Sequence, residues 1–210
     1  FKVHHKHTGF AHEWSKINAS LSENAQLWDV SDAAQNDIPQ ITSVSYRGHQ
    51  FDLLRLDLLP GTAGGNKVYK LRYNLQKATF DGHDTILTFG GAWSNHILAT
   101  AEACREKGFK SIGVIRGEES DPSSATLNSA RDLGMQLLFV SREEYREKDE
   151  DFFKSWLRSE LGRFYLIPEG GSNYLGVQGC TEILDARSKK YGLIGCACGT
   201  GATLAGIIQS

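Results

Sequence analysis

The strongest constraint on the fold is an order of strand, loop and helix that repeats from Asp84 onward. Short apolar runs, which predict strands, alternate with longer amphipathic or charged runs, which predict helices. The predicted strands are 85–89, 111–116, 135–140, 164–167 and 193–198, and the predicted helices are 97–107, 124–133, 142–161 and 177–191. Strands this apolar are typical of sheets covered on both faces, so the pattern predicts an α/β fold built on a parallel sheet.

A hairpin and a helix are predicted ahead of this region. Residues 41–46 alternate between apolar and polar, a turn follows at residues 47–48, and residues 51–59 continue as a second strand. Asn66 is suited to cap the following helix. The apolar face of that helix is predicted from residues at helical spacing, namely Val68, Leu71, Leu75 and Ala78.

Composition excludes several classes of partner. The formal net charge is −2 at pH 7, which gives no electrostatic basis for binding nucleic acid or an acidic membrane. No apolar run approaches the roughly 20 residues that a membrane-spanning helix needs, and the first residues do not resemble a secretory signal. We therefore expect a cytoplasmic protein without a nucleic-acid or membrane partner.

Neither the cysteines nor the amino-terminal histidines predict a metal site. The cysteines form no CxxC pair and fall in apolar segments, which predicts reduced, buried thiols and no disulfide. They are Cys104, Cys180, Cys196 and Cys198. The histidines lack an accompanying cysteine or carboxylate cluster, so residues 1–35 are interpreted as an irregular arm. They are His4, His5, His7 and His12.

Lys67 is the candidate nucleophile. It lies at the start of the predicted helix, directly behind Gly64, Gly65 and Asn66. The positive end of the helix and the ammonium group of Lys70 both disfavour another positive charge. We therefore expect the pKa of Lys67 to be lowered and its amine to be nucleophilic. The alternative is a solvated surface lysine that follows a turn.

Three loops follow predicted strands, at residues 90–96, 169–173 and 198–206. In open α/β sheets, ligands bind at this carboxyl edge. In the first loop Ser94 and Asn95 precede a helix, and they could be plain N-caps. The second loop could be no more than a turn.

The third loop has the features of a phosphate site. Its glycines expose backbone amides, Thr200 and Thr203 supply hydroxyl groups, and a helix begins there. Leu204 takes the place of the third glycine in the dinucleotide fingerprint, and the loop lacks the Gly-Lys-Ser/Thr of a nucleotide-triphosphate site. A phosphate monoester is therefore predicted rather than a dinucleotide or ATP.

Three motifs together resemble those of pyridoxal 5′-phosphate (PLP) enzymes with the tryptophan synthase β-like fold, or fold type II. They are Gly65-Asn66-Lys67-Val68-Tyr69-Lys70-Leu71, Ser94-Asn95-His96 and Gly199-Thr200-Gly201-Ala202-Thr203. Within that fold the chain most resembles the 1-aminocyclopropane-1-carboxylate deaminase/D-cysteine desulfhydrase family, from about residue 51 to the last residue. It departs from the family pattern at Arg72, Trp93, Cys198 and Ala202.

The resemblance implies a role for each matching residue. Lys67 would be the Schiff-base lysine and would carry the Cα proton. Ser94 would lie beside the substrate as carboxylate ligand, nucleophile or proton relay. Asn95 would contact the phenolic oxygen of the cofactor, and Asn95 and His96 would join Ser94 in binding the substrate. The phosphate would be held by Gly199, Thr200, Gly201, Ala202 and Thr203.

The resemblance also implies two domains with PLP in the cleft between them. Residues 1–81 would begin the large PLP domain, 82–168 would form a small α/β domain, and 169–210 would return to the large domain. Family members run about a hundred residues further. We therefore expect the C-terminal part of the fold, with the partner of the pyridine nitrogen, to lie beyond Ser210. A homodimer is also expected.

The implied activity is that of a PLP-dependent lyase that deaminates a small amino acid. D-cysteine desulfhydrase activity, which forms pyruvate, sulfide and ammonia, is favoured because β-elimination is the less demanding chemistry. 1-Aminocyclopropane-1-carboxylate deaminase is the alternative. A truncated, non-catalytic module that binds a phosphate ligand is the alternative from another class.

Overall fold

The computed structural model describes residues 38–59, 65–119 and 123–210. Within it, Gln40–Ser210 forms one compact unit. The amino-terminal arm predicted at residues 1–35, with its four histidines, lies outside the described residues. The division into domains at residues 82 and 169 stays a prediction.

The predicted hairpin is confirmed. Strand β1 (Gln40–Tyr46) pairs antiparallel with β2 (His49–Arg55). The turn between them places Arg47 and Gly48 at positive φ, 49° and 77°. The second strand ends earlier than predicted, because a 3-10 helix (Leu56–Leu58) follows Arg55 directly.

A four-stranded parallel sheet forms the centre of the structure, as the sequence predicted. Its strands are β3 (Thr85–Gly90), β4 (Lys110–Arg116), β5 (Gln136–Val140) and β6 (Tyr165–Ile167). Their order is β5-β4-β3-β6, and all three pairings are parallel. The chain therefore leaves β3 toward β4 and later returns to its other side at β6. In such sheets the reversal of strand order opens a crevice at the carboxyl edge, here between β3 and β6.

Helices cover both faces of this sheet. The α-helices among the described residues are α1 (Asn66–Phe80), α2 (Asn95–Lys107), α3 (Ala125–Asp132), α4 (Arg142–Arg146), α5 (Asp151–Leu161), α6 (Tyr174–Cys180) and α7 (Ala202–Gln209). Ile86 of β3 packs in a cluster with α1 and α2, whereas its neighbour Leu87 packs in a cluster with α4 and α5. Successive strand residues point to opposite faces, so β3 is buried along its whole length.

The single helix predicted at 142–161 is wrong, because the segment forms α4 and α5 with a break between them. Tyr145 of α4 and Phe153 of α5 both enter one core cluster. In one continuous helix, eight residues of separation would turn these side chains about 80° apart around the axis. The break lets both side chains face the core.

Two further predictions at the end of the chain are wrong. The helix predicted at 177–191 ends at Cys180, and a 3-10 helix (Ala186–Lys190) follows later. The strand predicted at 193–198 is irregular backbone, and Leu193 is 91% exposed. An apolar run becomes a strand only when another strand pairs with it. The segment has no such partner among the described residues, so Cys196 and Cys198 are exposed rather than buried.

Two glycines allow α6 to pack closely between α1 and α7. A Cβ on Gly179 would lie 1.9 Å from the carbonyl oxygen of Tyr69 in α1. A Cβ on Gly206 of α7 would lie 2.3 Å from Cβ of Cys180. This contact brings the start of α1 near the start of α7. In the part of the chain that is described, no helix has the length and apolar character needed to cross a membrane.

Candidate functional site

A cavity of about 250 Å³ opens at the carboxyl edge of the sheet, where β3 and β6 end. Its lining residues come from the starts of α1 and α2 and from the loops that follow β6 and precede α7. They are Asn66, Lys67, Lys70, Ser94, Asn95, His96, Glu169, Gly170, Ala197, Cys198, Gly199, Thr200, Gly201, Thr203 and Leu204. All predicted site residues except Ala202 therefore meet in one cavity, and Ala202 is buried in the first turn of α7.

Three helices begin at this cavity. Their N-cap residues are Gly65 for α1, Ser94 for α2 and Gly201 for α7. Free amides and the positive ends of the helix dipoles favour an anion there. The predicted N-cap role of Asn66 is wrong, because Gly65 adopts a φ of 78° and Asn66 is already helical. The side-chain amide of Asn66 instead donates a hydrogen bond to Thr203 Oγ1, at 2.6 Å.

Lys67 has the lowered pKa that the sequence predicted, with a different leading cause. Burial disfavours its charged form most, and the positive charge of Lys70 adds to this effect. Lys67 Nζ donates a hydrogen bond to Asn66 Oδ1 at 3.0 Å and has no carboxylate partner among the described residues. Partial burial and the charge of Lys70 therefore both favour the neutral form of this amine, which is the nucleophilic form.

Lys70 is a site residue that sequence reasoning did not assign. It is only 3% exposed, and burial is the largest cause of its lowered pKa. Its Nζ donates to the carbonyl oxygen of Gly170 at 3.1 Å and to Thr200 Oγ1 at 3.2 Å. Lys70 thus joins the loop after β6 to the loop before α7. Its position one turn after Lys67 could have indicated that Lys70 lies at the same site. Its burial is visible only in the folded chain.

Ser94 has the geometry of an N-cap and also lines the cavity. Its Oγ accepts a hydrogen bond from the backbone amide of Ile97 at 3.4 Å. A Cβ on Gly90 would lie 2.8 Å from this Oγ, so glycine leaves the hydroxyl room beside the end of β3. Asn95 follows as the first helical residue of α2. The catalytic and substrate-binding roles of both residues stay predictions.

His96 is a buried, neutral histidine at the base of the cavity. Thr88 Oγ1 donates to the carbonyl oxygen of Ile167 at 2.8 Å, so it accepts from His96 Nε2 at 2.9 Å. This pattern assigns the proton to Nε2. Burial, followed by the charges of Lys67 and Lys70, lowers the pKa of His96 to about 3. Its predicted contact with the substrate stays a prediction.

The loop before α7 faces the two lysines. Gly199, Thr200, Gly201 and Thr203 line the cavity. Thr200 packs against Gly170, where an added Cβ would lie 2.8 Å from Thr200 Cγ2. Because Thr200 Oγ1 accepts from Lys70, its own O–H remains available as a donor to an anion. Among the described residues no group of three or more histidine, cysteine or carboxylate side chains could hold a metal ion.

The chain is similar to curated proteins that are named for 1-aminocyclopropane-1-carboxylate deaminase activity, D-cysteine desulfhydrase activity or both. It is 36% identical over 168 residues to a Thermotoga maritima protein named provisionally as a 1-aminocyclopropane-1-carboxylate deaminase. The matched region covers 76% of this chain and 53% of that protein. It is 33% identical over 178 residues to the mitochondrial bifunctional D-cysteine desulfhydrase/1-aminocyclopropane-1-carboxylate deaminase of Arabidopsis thaliana, covering 76% and 44%. The chain spans about half the length of the curated relatives it matches. No family model matches it.

Solved structures share the fold. A crystal structure of an ACC deaminase homologue superposes with a TM-score of 0.64 at 25% identity, covering 84% of this chain and 59% of that one. A hydrogen sulfide-producing enzyme of Fusobacterium nucleatum also gives a TM-score of 0.64, at 15% identity, with 83% and 58% covered. These neighbours confirm the predicted α/β fold class. The names of the curated relatives confirm the resemblance to the 1-aminocyclopropane-1-carboxylate deaminase/D-cysteine desulfhydrase family.

Proposed function

We propose that the chain belongs to the 1-aminocyclopropane-1-carboxylate deaminase/D-cysteine desulfhydrase family and forms the cofactor site of a PLP-dependent lyase. The reaction would be deamination of a small amino acid. The observation that carries this proposal is the meeting of Lys67, Lys70 and Thr200 at three helix starts in one cavity.

The residues present fit the phosphate and the aldehyde of PLP. A phosphate binds to free amides at helix starts, to hydroxyl donors and to a lysine, and the cavity supplies Gly199, Thr200, Thr203 and Lys70. The aldehyde needs an amine of lowered pKa, which Lys67 supplies. When bound, PLP supplies a conjugated ring that accepts the electron pair left at Cα.

The remaining catalytic and binding roles would be carried out by residues that line the cavity. Lys67 would hold the cofactor through its aldehyde and, once the amine of the substrate has taken its place there, its free amine would take the proton from Cα. Ser94 would bind the substrate carboxylate or pass that proton on, at the start of α2 where an anion is favoured. Asn95 would donate to the phenolic oxygen of the cofactor. His96 would join Ser94 and Asn95 in binding the substrate, as a neutral imidazole.

D-cysteine is the substrate we favour, since β-elimination requires only loss of sulfide after the Cα proton is removed. The full-length protein with added PLP should release sulfide, pyruvate and ammonia in equal amounts from D-cysteine. Release of 2-oxobutanoate from 1-aminocyclopropane-1-carboxylate would favour the second candidate, which the names of the relatives support equally. A protein that binds no PLP would contradict both and favour a non-catalytic phosphate-binding module.

The proposal extends to the assembly and location of the whole protein. We propose a homodimer in the cytoplasm, with the cofactor between a small domain at residues 82–168 and a larger domain built from the flanking residues. Light scattering on the full-length protein tests the oligomeric state, and a monomer that retains full activity would contradict the dimer.

A further inference from the structure

Glu169 differs in charge from the rest of the cavity. It is the one acidic residue among the lining residues, in a cavity that otherwise presents two lysines and three helix starts. Its side chain is 38% exposed, so the carboxylate is accessible. A carboxylate weakens the binding of any anion placed near it. If the cavity served the phosphate and the substrate carboxylate alone, Glu169 would only reduce affinity.

An ion pair with Lys148 orients the Glu169 side chain. Lys148, in the turn between α4 and α5, places its Nζ 3.7 Å from Glu169 Oε2, beyond a normal hydrogen bond. The same ammonium lies 5.4 Å from the ring centre of the buried Tyr145. Lys148 is the ion-pair partner of Glu169 in the described part of the chain. Burial, and then the charge and a hydrogen bond of the Glu169 carboxylate, raise the pKa of Tyr145. A carboxylate has about four acceptor sites, so Glu169 can accept further hydrogen bonds beside its contacts with Lys148 and Tyr145.

We propose that Glu169 selects the substrate by the charge of its side chain, an inference that rests on the proposed function. Its carboxylate would accept a hydrogen bond from an amino acid whose side chain carries a proton donor or a positive charge. It would repel an amino acid with an acidic side chain. The thiol of cysteine is a proton donor and falls in the accepted class.

The test uses the full-length protein loaded with PLP and follows the visible absorbance of the cofactor during titration with an amino acid. The probes are D-2,3-diaminopropionate, D-serine and D-aspartate, which are similar in size and differ in side-chain charge. The wild-type protein should half-saturate at the lowest concentration with diaminopropionate and at the highest with aspartate. A wild-type preference for aspartate would overturn the inference without any substitution.

Glu169→Gln removes the charge and keeps the shape of the side chain. We expect the preference for diaminopropionate over aspartate to fall about tenfold or more, and Glu169→Lys should reverse it. Glu147→Gln, an exposed carboxylate beside Lys148, is the matched control and should leave the preference unchanged. Lys148→Met should also retain the preference. If Lys148→Met lost the preference to the same extent as Glu169→Gln, the ion pair and not the carboxylate alone would be responsible.

The two proposals fail in different ways. Without a cofactor band in the wild-type protein, the proposed function and this inference fall together. With the band present, an equal preference in Glu169→Gln and the wild type overturns the inference alone.

Discussion

The two walls of the cavity are built in different ways. The sheet-side wall consists of the loops after β3 and β6, and its Ser94 cap spans only three residues, to Ile97. The helix-side wall consists of the start of α1 and the loop before α7. It is joined by the hydrogen bonds from Asn66 to Thr203 and from Lys70 to Thr200, which span 137 and 130 residues.

The difference shows which interactions determine the structure of each wall. The sheet-side wall follows from strand ends and helix caps that local sequence specifies. The helix-side wall forms only when α1, α6 and α7 pack together through Gly179 and Gly206. We therefore expect substitutions on the sheet side to affect turnover, and those on the helix side, apart from Lys67, to affect cofactor affinity or stability.

The largest effect is expected at Ser94 on the sheet-side wall. Ser94→Ala in the full-length enzyme should keep the cofactor band and lose at least about a hundredfold in kcat/KM, since losing a proton relay costs about 10²–10⁴-fold. Ser141→Ala removes an N-cap outside the cavity and is the matched control. It should cost roughly 0.5–2 kcal/mol of stability with turnover intact. If Ser94→Ala behaves in the same way, Ser94 is only a cap.

The next effect concerns the hydroxyl groups of the helix-side wall. Thr200→Ala and Thr203→Ala should each weaken PLP binding by roughly 1.5–3 kcal/mol, the usual loss for a hydrogen bond to a charged group. Titration of the apoprotein with PLP measures the change, and the rate at saturating PLP should change less. Thr79→Ala, on the outer part of α1, should not alter affinity. Earlier melting with unchanged affinity would mean that the two threonines only stabilise the fold.

Packing of the helix-side wall is tested at Gly179. Gly179→Ala would place a Cβ 1.9 Å from the Tyr69 carbonyl oxygen, so α6 must move away from α1. We expect a loss of about 1–3 kcal/mol in the free energy of unfolding, measured with urea. Gly192→Ala has open space around the new methyl group and should change stability little. Equal effects of the two substitutions would contradict the close packing described here.

The smallest effect, taken per pH unit, is the pH dependence from His96. Its folded pKa lies below the unfolded value near 6.5, so the unfolded chain binds the extra proton first. Stability should be fully present above pH 6.5 and fall as the pH decreases from 6.5 toward 3, by at most about 1.4 kcal/mol per pH unit from this group. Urea unfolding between pH 7 and pH 4.5 measures the slope.

His96→Gln keeps a donor toward Thr88 and removes the titrating ring, so its slope should be smaller than that of the wild type. His49→Gln replaces an exposed histidine of β2 and is the control for the change of residue type. Equal slopes in the wild type and His96→Gln would show that His96 is not the source.

The same contrast explains what the sequence could predict. The parallel sheet, the hairpin and the helix start at Ser94 follow from periodicity and capping, which are local signals. The break between α4 and α5 depends on how Tyr145 and Phe153 meet the core, and the irregular segment at 193–198 depends on the lack of a pairing strand. The burial of Lys70 and the place of Glu169 in the cavity also required the folded chain.

Reduction with borohydride tests the central claim most directly, because it fixes PLP to the amine that holds it. In the full-length protein with PLP, we predict loss of the cofactor band and recovery of the label on the peptide that contains Lys67. Lys70 is one turn away and its pKa is also lowered, and Lys77 is a partly exposed lysine on the same helix. Label on Lys70 or Lys77, or on no lysine, would contradict the account.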